Sequence, residues 1–229
     1  MWRWFLLPFI LTGCGGPVAD FPGQSYLGAR YENSPLGECA MPDDDPLIRF
    51  DAFDCTTFVE TVLADGDECR LTQIRYKDGE VGFLTRNHFI ESDWLNNNSD
   101  FVQNVSAQYA PTAVRRVMID KENWFRVVHG LDVDVAPVSL DLEYVPYEYV
   151  SGIKIDKPVI VLFITDNQNF RDTIGTDLAV VHMGVWLPNG VLRHASSELG
   201  AVVDVDMADY VARRMKNKQN LGIAVVEIK

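Results

Sequence analysis

Long apolar runs are missing from this sequence: the longest, Trp4 to Leu11, holds eight residues, well short of the roughly 20 that a membrane-spanning helix requires. Positive charge is scarce as well. Lysine and arginine number 20 against 33 acidic residues, a net charge of −13, which argues against a nucleic-acid partner, because such affinity comes mostly from cations neutralising phosphates. Only four cysteines occur among 229 residues, too few for a disulfide framework. No internal repeat, low-complexity tract or linker interrupts the chain after residue 25. What is present is 47% hydrophobic, enough for a single domain over 25–229 whose core buries roughly 70–75% of the unfolded surface. Such a core needs neither disulfides nor a metal, and no cofactor is expected. Asp43-Asp44-Asp45 lacks the alternating ligands and turn glycine of a calcium loop and reads as solvated.

The first 13 residues differ from the rest. Arg3 is their only charge, a short apolar stretch follows and small residues close it, the pattern of a secretory signal that takes no part in the fold. Leu11-Thr12-Gly13-Cys14 resembles the lipobox of bacterial lipoproteins. That likeness implies a signal peptide over 1–13, lipidation at Cys14 and a Gly- and Pro-rich tether over 14–24. With Gly15 rather than aspartate next, resemblance to sorted lipoproteins of Gram-negative cells implies anchoring by the lipid at the outer membrane, facing the periplasm; the protein is expected to be a monomer. Export allows disulfides. Of the remaining cysteines, Cys39 and Cys69 lie in polar, turn-rich surroundings and could pair, which leaves Cys55 over.

Residues 54–64 predict a helix, capped by Asp54, with Phe58, Val59, Val62 and Leu63 at helical spacing and Asp65-Gly66 as a stop. Val159 to Ile164, Ala179 to Leu187, Val191 to Ala195 and Leu221 to Ile228 predict antiparallel strands, with a short helix from Asp206 to Met215. Residues 67–150 are mixed. A helix first and strands later indicates an α+β domain.

Cys55 falls at the predicted helix start, where the dipole and unpaired N–H groups favour thiolate and can receive an oxyanion. Taken alone, a free cysteine is more often a small buried hydrophobe. His182 and His194 flank Pro188-Asn189-Gly190, which suits a three-residue hairpin loop with glycine in the left-handed position. In that register Leu187 opposes Val191 and His194 opposes Gly184. His194 then lies diagonal to His182, on the sheet face of Trp186 and Leu192. A thiol at a helix start and a base oriented by a third polar group form the general nucleophile constellation: Cys55 attacks, His182 is base and then acid, and His194 orients His182. A zinc site from the same three residues competes, but close-spaced ligand pairs are lacking.

Asp54-Cys55-Thr56-Thr57-Phe58, His182-Met183-Gly184-Val185-Trp186 and His194 twelve residues on resemble the NlpC-type papain-like cell-wall hydrolases, and most closely their N-acetylmuramoyl-L-alanine amidase-like members. Tyr26 to Tyr31, Arg86-Asn87-His88-Phe89 with Asp93-Trp94, and Leu192 to Ser197 leading to Val202-Val203-Asp204 extend the likeness along most of the chain. Arg30, Met183 and Trp186 stand where the family more often has proline, valine, and tyrosine or phenylalanine. The resemblance implies a papain-like α+β fold, with a nucleophile-bearing N-terminal helix packed on an antiparallel sheet and inserted segments. It also implies hydrolysis of the amide between N-acetylmuramic acid and L-alanine through a thioester. By the same likeness Tyr31, Asp54, Thr56, His88, Asp93, Trp94, Arg193 and Ser196 serve substrate binding, and the partner is peptidoglycan or its muropeptide fragments. Two other functions stay open: a D-glutamyl endopeptidase cutting within the stem peptide, and a non-catalytic lipoprotein that binds muropeptides.

Overall fold

The computed structural model describes residues 22–229. The expected signal peptide over 1–13, lipidated Cys14 and most of the 14–24 tether lie outside the described residues. Among the described residues no helix is long and apolar enough to cross a membrane.

Ten strands form one mixed sheet: β1 (Arg30–Tyr31), β2 (Ala52–Phe53), β3 (Val102–Asn104), β4 (Ala113–Ile119), β5 (Val138–Pro146), β6 (Val159–Thr165), β7 (Val180–Trp186), β8 (Val191–Ser196), β9 (Ala201–Asp206) and β10 (Asn220–Ile228). The order is β2-β1-β9-β8-β7-β6-β10-β5-β4, with β3 also on β10. Among the described residues only β1 and β2 run parallel. The α+β class and the four expected strands are therefore present.

The central strands carry apolar residues on both faces, so the sheet needs a layer on each side. On β6, Ile160, Leu162 and Ile164 pack with Phe58, Val59 and Leu63 of helix α1 (Cys55–Ala64). The alternate residues Val159, Val161 and Phe163 pack with Met207 and Val211 of the C-terminal helix Met207–Arg214. Each such fully buried side chain is worth roughly 1.5–3 kcal/mol relative to exposure. The pleat thus divides the core in two. α1 lies against β7 and β8 from one side, and the C-terminal helix covers the other.

α1 begins where the sequence places it. Asp54 Oδ1 accepts the Thr57 N–H at 2.8 Å and Thr57 Oγ1 accepts the Asp54 N–H at 3.0 Å, a reciprocal cap. It ends at Asp65 and Gly66, both with positive φ. β2 runs into Asp54, and its parallel pairing brings Tyr31 beside Phe53, close to the start of α1. The β7–β8 loop is the expected one: the Leu187 N–H donates to Val191 O at 2.8 Å, and Gly190 has φ 85°. Trp186 opposes Leu192 and Val185 opposes Arg193, which sets His194 across from Gly184. A Cβ at Gly184 would stand 3.0 Å from that of His194, so glycine is what lets the two strands close there.

The middle of the chain gains definition from tertiary pairing. β4 and β5 pair from Ala113↔Tyr144 to Ile119↔Val138, across a long connection with no turn signature. Helix α2 (Glu68–Arg75) starts at Asp67, whose carboxylate accepts the Arg70 N–H at 2.7 Å. Cys39 and Cys69 do not pair; both thiols are free and exposed. Cys39 Sγ instead accepts the Leu47 N–H at 3.2 Å, which ties the sulfur to its own loop. Nor is the aspartate run wholly solvated: Asp43, with Glu38, pairs with Arg86 at 2.5–2.7 Å.

Candidate active site

Cys55, at the first turn of α1, and His182, on β7, line one cavity of about 340 Å³ together with Thr56, His88, Ile90, Phe170 and Met183. His182 Nε2 and His194 Nδ1 are 2.8 Å apart, and the ring planes stand nearly perpendicular. With the shared proton on His182 Nε2, its Nδ1 is left as an acceptor, which is the tautomer a base requires. Sequence reasoning thus foresaw three side chains that the fold brings together. No hydrogen bond joins Cys55 Sγ to His182 among the described residues.

The charge state of the thiol departs from the sequence expectation. Burial, followed by the adjacent Asp54 carboxylate, pushes the Cys55 thiol up to about 11, against hydrogen bonds from Met183, Thr56 and its own backbone. The physical reason lies in the cap. Asp54 takes the Thr57 N–H for itself and sets a negative charge beside the sulfur, so the helix start does not serve the thiol alone. Burial, then His194 and then Arg214 hold His182 well below the usual imidazole value. Burial also lowers His194, to about 4. Burial thus favours the uncharged form of both side chains, a thiol and an imidazole that line one cavity.

The expected substrate contacts divide. Tyr31 stays near: its phenol is raised first by burial and then by Cys55. Thr56 and His88 line both the thiol cavity and a neighbouring cavity of about 280 Å³ that also includes Asp54. Ser196 lines a third cavity, of about 300 Å³, with His182 and His194. The other three residues are occupied elsewhere. Trp94 is fully buried in the core with Phe58 and Leu71 and faces no groove. Asp93 accepts from the Phe89 N–H at 3.2 Å and from Lys121 Nζ at 2.9 Å, bracing a helical turn. Arg193 is buried and paired through two nitrogens with Asp204 at 2.7 and 2.8 Å, and it also donates to Pro22 O. Its role is to lock β8 to β9 and to the backbone at Pro22.

Residues the sequence did not single out complete the surroundings. Phe83, His88, Trp124 and His129 form an aromatic wall, with centroid separations of 4.7–6.5 Å. His129 has no partner that is visible in the sequence; the fold supplies four, Phe83, His88, Trp124 and Phe125. Tyr210 packs on both site histidines, at 6.1 Å and 5.1 Å. Its helical spacing with Arg213 and Arg214 was the available signal.

Burial holds His88 at about 3 while its Nε2 bonds Phe83 O at 2.6 Å. An imidazole lowered from 6.5 is neutral when folded, so the unfolded chain binds more protons below pH 6.5, and stability is lost as pH falls toward 3. The buried carboxyls Glu60 and Glu91, raised to about 8 and about 7, act with the opposite sign between pH 4.5 and 8. The clean readout is therefore a difference between variants. Relative to His88→Phe, the unmodified protein is expected to lose roughly 2–4 kcal/mol of unfolding free energy between pH 7 and pH 4, measured by denaturant titration at each pH. A pH-independent difference would place the ring in water.

With this geometry in place, comparison with known proteins adds the lineage. The N-acetylmuramoyl-L-alanine amidase-like family model matches residues 22–220, so the chain belongs to that family. Its fold is similar to that of a Legionella pneumophila protein (TM-score 0.81, 23% identity, covering 90% of this chain and 86% of that one). It is similar also to an N-acetylmuramoyl-L-alanine amidase from Bacteroides uniformis (TM-score 0.72, 26% identity, covering 91% and 96%). Among curated proteins, none matches.

Proposed function

We propose that this protein is a cysteine-dependent amidase of papain-like, NlpC-type mechanism that cleaves the bond between the lactyl group of N-acetylmuramic acid and L-alanine in peptidoglycan or muropeptides. The observation that carries this reading is the shared cavity of Cys55 and His182, with His194 at hydrogen-bond distance behind the base. Family membership supports an amidase acting on peptidoglycan-derived material.

In the proposed cycle, His182 Nδ1 takes the thiol proton as Sγ adds to the lactyl carbonyl carbon. The oxyanion forms beside the start of α1 and Tyr31. The C–N bond then breaks, and the same proton passes to the departing L-alanine nitrogen, leaving a thioester. Water, deprotonated by His182, hydrolyses the thioester, freeing the lactyl carboxylate and restoring the thiol.

The imidazole that protonates the leaving amine must lie on the leaving-group side, so the acyl side extends away from it. There Thr56 and His88 lead to the wall of Phe83, Trp124 and His129, a stacking surface suited to a sugar ring. That feature favours the muramoyl bond over the bond after D-glutamate, whose acyl side would be a peptide. Leu11-Thr12-Gly13-Cys14 supports a lipid tether to the periplasmic face of the outer membrane. The test is a defined disaccharide-tripeptide and the masses of its products. Free tripeptide with an L-alanine amine is expected; a sugar still carrying L-alanine and D-glutamate would move the cut to the endopeptidase bond.

A further inference from the structure

Resting on the amidase reading, we propose that the cavity adjoining the thiol cavity at His182 seats the stem peptide of the leaving group, with Arg213 and Arg214 as the specificity-determining seat for its glutamyl carboxylate. Three cavities form a chain. The aromatic one shares Thr56 and His88 with the thiol cavity, and the thiol cavity shares Val181 and His182 with the third. The third is polar, about 300 Å³, and is bounded by Ser196, Ser197, Tyr210, Arg213, Arg214 and Asn220.

Its charge is the unexplained feature. In a protein of net charge −13, with a salt bridge for most of its arginines, neither Arg213 nor Arg214 forms one among the described residues. Glu198 also lines this cavity but pairs with neither. Both guanidiniums are nonetheless placed. Arg213 lies over the Tyr210 ring at 5.6 Å and Arg214 over Phe163 at 5.6 Å, while Arg214 Nη2 donates to Asn220 Oδ1 at 3.1 Å. Stacking fixes a guanidinium's plane; Arg214 turns donors toward Asn220 and the Tyr147 hydroxyl, whereas the edge donors of Arg213 are left for a planar acceptor, the geometry that suits a carboxylate. Position completes the case. This cavity adjoins the thiol cavity at Val181 and His182, beside the imidazole that must hand its proton to the departing nitrogen. The second residue of the stem, a γ-linked D-glutamate, carries a free α-carboxylate close to the scissile amide.

Two disaccharide-tripeptides that differ only in D-glutamate against D-isoglutamine test this directly, because the amide removes the charge and keeps the shape. The unmodified protein is expected to favour the carboxylate form by about 10–100-fold in kcat/KM, the range for hydrogen bonds to a charged group. Most of the difference should appear in KM and shrink with added salt. Arg213 is exposed, so Arg213→Gln should fold normally and cut the preference several-fold, and Arg213→Glu should cut it further or reverse it. Equal turnover of both substrates by the unmodified protein, at the muramoyl–alanine bond, would overturn the carboxylate seat while the amidase reading stands. Failure to cleave that bond in either substrate would overturn the amidase reading and this inference with it.

Discussion

Cys55→Ala is expected to lower kcat for muramoyl–L-alanine cleavage by about 10⁴-fold or more, the scale seen when a covalent nucleophile is removed from a working triad. The expectation rests on the absence of a substitute. Thr56 Oγ1 lies 3.9 Å from Sγ, but a hydroxyl has no pKa that a neutral imidazole of this basicity could exploit without close contact. The variant should still fold, because α1 is held by the Asp54–Thr57 cap and by Phe58, Val59 and Leu63 in the core. Removing one half-buried sulfur should cost on the order of 1 kcal/mol. Product release by mass spectrometry and a thermal melt on the same sample separate the two effects. Cleavage within tenfold of the unmodified rate would remove Cys55 from the mechanism.

The second large effect is at His194. Its Nδ1, 2.8 Å from His182 Nε2, selects the tautomer that leaves His182 Nδ1 open to the thiol. His194→Leu removes that acceptor, and kcat should fall by about 10²–10⁴-fold with a smaller change in KM, as expected when a base loses its orienting partner. His194→Gln can offer an amide oxygen in place of Nδ1 and should recover part of the loss. A side chain that merely filled space would give the opposite order, since leucine packs against the Tyr210 ring better than glutamine does. Steady-state rates for the two variants decide between these roles. Equal loss in both, with matching loss of melting temperature, would make His194 a packing residue only.

What could be read from the sequence was local. Asp54 with Thr57 marks the start of α1, Asp65-Gly66 its end, and Pro188-Asn189-Gly190 the loop that sets the β7–β8 register, so the meeting of His182 and His194 followed from turn chemistry. What could not be read depends on packing between distant segments. The thiol's raised pKa comes from burial under neighbours that only the fold assembles. Trp94 and Asp93 sit in a motif that looks like a groove wall, yet the helical turn rotates Trp94 into the core. Arg193 likewise looks available beside His194, until β9 brings Asp204 opposite it. Arg213 and Arg214 read as an ordinary basic helix end; the docking of that helix behind the histidines is what gives them a cavity to face.

Mass analysis of an acid-quenched reaction tests the central claim most directly. The unmodified protein is mixed with a disaccharide-tripeptide, stopped within the first turnovers and digested. The account predicts a thioester on the Cys55 peptide that carries the sugar-lactyl acyl group, absent from Cys55→Ala. An adduct carrying the glycopeptide through D-glutamate would contradict the assigned bond, and free tripeptide produced equally by Cys55→Ala would contradict the cysteine mechanism itself.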